Sequence, residues 1–124
     1  RSLARRQVMA DRTTRNRENP PVPPSPMSLR LVIDPPAQED LLAAASWYEN
    51  ASPGLGSAFL DETDRILARL IEAPLQFPIV HRDVRRGLTR RFPYGVYFTT
   101  HANTARVLAV LHLRRHPDTW IQRL

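Results

Sequence analysis

The residue type with the greatest chemical reach in this 124-residue chain is arginine, because all 18 of its basic residues are Arg. A guanidinium holds its charge and presents a rigid fork of donors suited to phosphate or carboxylate. Arg114 and Arg115 stand between His112 and His116, and an imidazole can give or take a proton near neutral pH. This cluster is the candidate for chemistry on an anionic substrate. The plainer alternative makes His112 a partly exposed residue of a strand. His112 and His116 are a poor metal pair, since Asp118 is the only acidic residue near them in sequence and the chain has no cysteine. Neither a metal nor a cofactor is expected.

A second group is Arg85, Arg86, Arg90 and Arg91. On one continuous strand their side chains would alternate, with Arg86 and Arg90 on one face and Arg85 on the other. Arg86, Arg90, Arg91, Arg114 and Arg115 are therefore the candidate surface for binding a target or an inhibitory partner. For any one of them the alternative is a charge that keeps an exposed strand soluble and blocks edge pairing.

The placement of charge separates the halves of the chain. Residues 1–26 hold six Arg against Asp11 and Glu18, residues 27–80 hold three against eight acids, and residues 81–124 hold nine against two. The last part is thus net +7 and the middle part net −5. A field of one sign attracts its opposite at long range, so the basic part predicts an anionic partner, either nucleic acid or an acidic protein segment. The absence of cysteine excludes a disulfide framework and fits a reducing compartment, so a cytoplasmic location is expected. No stretch approaches the roughly 20 apolar residues of a membrane span, and no membrane partner is expected.

These residues need elements to position them. Leu29, Leu31 and Ile33 alternate as a short strand, stopped at Asp34-Pro35-Pro36, which reads as an N-cap with proline in the first turn. Ala37, Leu41, Ala45 and Tyr48 recur at helical spacing to about Asn50. Ser52-Pro53-Gly54-Leu55-Gly56 breaks the chain, and Phe59, Thr63, Ile66, Leu67 and Leu70 trace a second amphipathic helix ending near Pro74. Asp61, Glu62, Asp64, Arg65 and Arg69 are expected mostly on its solvent side. Trp47, Tyr48, Phe59 and Phe77 sit on apolar faces and are expected in the core, the alternative being a platform for a ligand.

Beyond Pro78 the period becomes two. Strands are predicted around Val84 to Phe92, Val96 to Thr100 and Val107 to Leu113, with a turn at Ala102-Asn103-Thr104. The fold class is α+β in the order β-α-α-β-β-β. A helical hairpin covers one face of a small, mostly antiparallel sheet, and the first strand joins the edge of the meander. The opposite face is expected to be a basic, concave surface.

The order of several short motifs resembles the plasmid-stabilisation branch of the RelE/ParE toxin superfamily. These are Trp47-Tyr48-Glu49, Pro53-Gly54-Leu55-Gly56 with Phe59 and Leu60, Phe77-Pro78, Val84-Arg85-Arg86, Arg91-Phe92-Pro93-Tyr94-Gly95-Val96-Tyr97, and Val110-Leu111-His112 with Arg114, Arg115 and Pro117. The resemblance implies the toxin of a type II toxin–antitoxin system, with a cognate antitoxin whose flexible tail wraps it. Its targets would be DNA gyrase in ParE-type members, or mRNA on the ribosome in RelE-type members. In the RelE-type nucleases a basic residue sits early in the strand here starting near Val96, and an aromatic hydroxyl lies near the C-terminus. Those places fall at Tyr94 or Gly95 and near Trp120, so the expectation is growth arrest by binding a gyrase-type target. The alternatives are a ribosome-dependent endoribonuclease, with Arg114, Arg115, His112 and His116 as candidate catalytic residues, and a toxin-fold domain that only binds its partner.

Residues 1–26 show no helical or strand period, and five of the chain's twelve prolines fall between Pro20 and Pro26. They are expected to be a disordered, basic, Pro-rich extension, with residues 27–124 forming the toxin domain and Met27 as the natural start. The alternative is a basic arm that binds nucleic acid. Deleting residues 1–26 should change unfolding free energy by less than about 1 kcal/mol. A drop of several degrees in melting temperature would show instead that they pack on the domain.

Overall fold

A computed structural model describes residues 28–124. The expectations for residues 1–26 and for Met27 lie outside the described residues. The elements run β1 (Arg30–Ile33), α1 (Pro35–Ala51), α2 (Leu55–Glu72), a short 3-10 turn (Pro74–Gln76), β2 (Ile79–His81), β3 (Val84–Leu88), β4 (Tyr94–His101), β5 (Thr104–His112) and a final short helix α3 (Asp118–Ile121). The sheet order is β1-β5-β4-β3-β2, antiparallel except for the parallel β1–β5 pair.

The α+β class, the helical hairpin and the edge position of β1 are as the periodicity implies. The region around Val84 to Phe92 is not one strand. Arg82, at φ +52°, turns the chain so that β2 and β3 form an extra hairpin, and β3 stops at Leu88. Arg90 and Arg91 therefore sit in a loop, and Arg90 does not share a strand face with Arg86.

The starts of the two long helices are held in different ways. Asp34 occupies the N-cap position of α1 with Pro35 next to it, but its carboxylate makes no cap bond; it accepts from Arg106 Nη1 at 3.0 Å. Glu49, near the end of α1, accepts the N–H groups of Gly54 and Gly56 at 2.9 and 3.0 Å and so tethers the start of α2. A Cβ on Gly56 would lie 2.4 Å from the Ala45 carbonyl oxygen, so this helix crossing requires glycine.

The main core lies between hairpin and sheet, with Leu41, Phe59, Leu67, Leu70, Val96, Phe98 and Val107 fully buried. All five residues that set the phase of the second helix, including Thr63, are buried. Tyr48, Phe59, Phe92 and Tyr94 form an aromatic group with centroids 4.7 to 6.0 Å apart. The opposite face is not the uniformly basic surface expected, although Arg86 lies on it. Val84, Tyr97, Leu108, Ala109 and Leu111 make a second apolar cluster there, and α3 covers part of it with Trp120.

Glu62 departs from expectation most sharply. It is 5% exposed, and its Oε1 accepts the N–H groups of Arg90 and Arg91 at 2.7 and 3.0 Å. A buried carboxylate is tolerated when donors replace its water, and here two backbone amides do so.

Glu62→Ala should cost about 1.5–3 kcal/mol for each charge-assisted bond lost, and amide exchange at Arg90 and Arg91 should accelerate. Unchanged exchange there would show that the loop holds itself. Leu67→Ala should cost about 2–5 kcal/mol through the cavity it leaves, read as a lowered denaturant midpoint.

Candidate functional site

The loop after β3 and the turn after β5 meet at one end of the sheet. The Pro93 carbonyl accepts the Leu113 N–H at 2.8 Å, and Tyr94 stands opposite His112 in the ladder. Thr89 closes the loop, its hydroxyl bonded to the Phe92 carbonyl and its N–H donated to the Tyr94 carbonyl at 3.1 Å. Arg90, Arg91, Arg114 and Arg115 are all exposed at this end. The Arg91 guanidinium lies 5.4 Å from the centre of the Phe92 ring. Four of the five candidate arginines are thus gathered, through neighbouring loops rather than alternate positions of one strand.

Arg86 stands apart from them. It shares the second apolar face with Val84 and Tyr97, and a Cβ on Gly95 would lie 3.0 Å from its Cδ and 3.2 Å from its Cγ. The stem of Arg86 therefore crosses the bare backbone of Gly95, and its Nε is buried without a hydrogen-bond partner. Arg86, from β3, thus places a cationic side chain beside Gly95. The C-terminal aromatic position is held by Trp120, 5% exposed and stacked on Tyr97 at 4.8 Å and 24°. His81, which the sequence did not single out, meets the edge of Trp120 at 5.7 Å.

His112 belongs to the other, helix-covered face. Its ring meets Tyr94 at 5.4 Å, and its Nδ1 accepts the Arg114 N–H at 3.0 Å. With Nδ1 as acceptor, a neutral imidazole carries its proton on Nε2. His116 is exposed; its Nδ1 accepts the Asp118 N–H at 3.1 Å and lies 3.5 Å from the Asp118 carboxylate. Arg86 and His112 project from opposite faces of the sheet. Among the described residues no group of three or more His, Cys, Asp or Glu is placed to hold a metal ion, and no helix is long and apolar enough to cross a membrane.

On the His112 side, a groove of about 420 Å³ runs between α1 and the adjoining ends of β4 and β5. Trp47, Tyr48, Tyr94, His112, Arg115 and Asp40 are among its lining residues. Trp47 is not in the core but 67% exposed. At 100° per residue it lies roughly 80° round from the centre of the buried stripe, which is enough to bring it to the surface. Burial raises the Tyr48 hydroxyl above the ordinary tyrosine value of 10.0. Tyr94 is also raised, chiefly by burial and then by the nearby Tyr48 charge, with Arg115 pulling it down and Asp40 pushing it up.

Asp40 is the pivot at the edge of this groove. It accepts the Val110 N–H at 3.0 Å and receives two bonds from Arg123, at 2.7 and 3.2 Å. Arg123 also donates to the Leu108 carbonyl at 3.0 Å. Asp40 and Glu62 went unrecognised in the sequence although both carry a signal: Asp40 is spaced i, i+3 and i+4 between Ala37 and Ala44, and Glu62 lies likewise between Phe59 and Ile66. An acid on the apolar stripe of a helix is an acid that the fold uses.

The family model described as the ParE toxin of type II toxin-antitoxin systems, parDE, matches residues 31–117. The fold resembles the solved structure titled "Chromosomal ParDE TA system from P. aeruginosa", with a TM-score of 0.63 and 17% identity over 71% of this chain and 99% of that chain. No curated protein matches the sequence. With most of the described residues, both helices of the hairpin and all five strands falling within or at the boundary of the matched span, the chain belongs to the ParE toxin family of type II toxin–antitoxin systems.

Proposed function

We propose that this toxin arrests growth by binding a large cellular target of the DNA gyrase type, and that a cognate antitoxin silences it by covering the same basic surface. The observation that carries this reading is the exposed group of Arg90, Arg91, Arg114 and Arg115, joined through the Pro93–Leu113 bond. Such a surface suits an acidic protein segment as well as a nucleic-acid backbone, because exposed guanidinium groups can pair with carboxylate or phosphate.

The arrangement supports binding over chemistry. Cleaving RNA through a 2′-hydroxyl needs a base, an acid and positive charge around one phosphorus. His112 and Arg86 lie on opposite faces of the sheet, and Trp120 brings no hydroxyl. One observation favours the second reading, a ribosome-dependent endoribonuclease. The Arg86 stem lies over Gly95, so a cation is available close to where the resemblance expects one.

Induction of the full chain in a bacterium should arrest growth, and co-expression of the antitoxin should reverse the arrest. Arg114→Ala with Arg115→Ala removes two charges whose hydrogen bonds are worth about 1.5–3 kcal/mol each, so toxicity should fall while the melting temperature holds. Transcripts should stay uncut and a DNA-damage response should follow. Codon-phased cuts that vanish in Arg86→Ala would establish the nuclease reading instead, and unaffected growth in several hosts would remove both.

A further inference from the structure

The groove between α1 and the end of β4 and β5 has its own chemistry, apart from the choice of cellular target. Its outer wall is an indole: Trp47 stands 67% exposed, with its ring edge-on to Tyr48 at 5.3 Å and 86°. Opposite are Tyr94 and His112, themselves edge-on at 5.4 Å. Arg115 supplies the charge, and its guanidinium has no acidic partner among the described residues. The acid in the groove, Asp40, is already neutralised by Arg123 and bonded to the Val110 N–H. The groove therefore presents flat aromatic surface beside one uncompensated cation.

We infer that this groove binds an unpaired nucleobase together with its phosphate, with the base stacked on Trp47 and the phosphate held by Arg115. Stacking on an exposed aromatic ring with an arginine nearby is the usual physics of single-strand recognition, and it tolerates any base because each has a π-face. The Tyr48 and Tyr94 hydroxyls, which line the groove, and the N–H of His112 offer hydrogen bonds to a base edge or sugar. The volume, about 420 Å³, lies within the range of small-ligand pockets.

A peptide fits less well for a specific reason. An extended peptide gains its affinity by adding main-chain hydrogen bonds to a free strand edge. At this groove two groups of the β5 edge are already engaged, the Val110 N–H by Asp40 and the Leu108 carbonyl by Arg123, which shortens the ladder open to a peptide. The aromatic side chains and Arg115 suit a planar, charged ligand.

The test uses the full chain, whose only other tryptophan, Trp120, is buried against Tyr97. Adenosine 5′-monophosphate and a ten-nucleotide oligodeoxyadenylate should both quench Trp47 emission, and a duplex of equal length should quench far less. Labelled-oligonucleotide anisotropy should show affinity falling about tenfold in Trp47→Leu and again in Arg115→Ala, as expected for loss of one stacked base and one phosphate contact. Both side chains are exposed, so the variants should keep the parent melting temperature. A monophosphate that binds as tightly as the oligonucleotide identifies a free nucleotide as the ligand, whereas a much tighter oligonucleotide identifies a single strand; either supports the inference. Oligonucleotide binding unchanged in both variants would place it on arginines elsewhere and overturn the inference. Quenching by an acidic peptide but by neither nucleotide probe would overturn it too.

Discussion

A mismatch of strand lengths governs much of this fold. β1 has four residues and β5 has nine, and their parallel pairing ends at Ile33 and Val107. Beyond that point the outer edge of β5 has backbone groups with no strand beside them. A sheet edge left so would cost free energy if buried, or invite another strand if exposed. The chain covers it with side chains: Asp40 takes the Val110 N–H, and Arg123 gives to the Leu108 carbonyl while clasping Asp40. One ion pair thereby ties α1, β5 and the C-terminal segment, and the groove beside it keeps aromatic walls without an open ladder.

Two acids on apolar helix stripes do comparable work at separate places. Asp40 fixes an edge and Glu62 fixes a loop. In each case the carboxylate leaves water for hydrogen bonds to backbone amides or a guanidinium, which offsets its desolvation only when the geometry is good. Neither is a surplus charge, since removing either would strand donors that were desolvated for its sake. The Glu62 contacts also explain why the two arginines following Thr89 project outward: their amides are drawn in toward α2, leaving their long side chains to solvent.

The parts of the fold legible in the sequence were those set by period. The apolar spacing of Phe59, Thr63, Ile66, Leu67 and Leu70 located α2 and its buried face, and alternation located β1, β4 and β5. What escaped was set by contacts distant in sequence. The β2–β3 hairpin turns at Arg82 and Asp83, which carry no glycine or proline to mark the bend, so β2 went unseen, and alternation alone did not mark the end of β3 at Leu88. Trp47 was placed on the apolar face of its helix, yet its position on the wheel puts it at the margin of the stripe. At the candidate site the residue types were legible and their grouping was not. Arg90, Arg91, Arg114 and Arg115 come to one end of the sheet because β4 pairs with β5 up to Tyr94 and His112 and Pro93 bonds to Leu113, contacts between segments distant in sequence.

The position of Arg86 shows why linear correspondence is a poor guide to a charged surface. In an antiparallel ladder the diagonal neighbour on an adjacent strand lies within reach of a long side chain. With Arg86 paired to Tyr97 and Leu88 paired to Gly95, the arginine stem crosses the glycine diagonally. A side chain at residue 95 would displace it, so the bare backbone and the arginine are one arrangement rather than a lost cation and an unrelated charge. The same geometry restrains what Arg86 can do. Its Nε is buried without a partner and its stem lies over the bare backbone of Gly95. Beside it lies the second apolar cluster, partly covered by Trp120. A ligand that reached it would have to displace or fit around α3, whereas the arginines at the loop end need no such rearrangement. That difference in access, more than the number of charges, separates the two arginine surfaces of this protein.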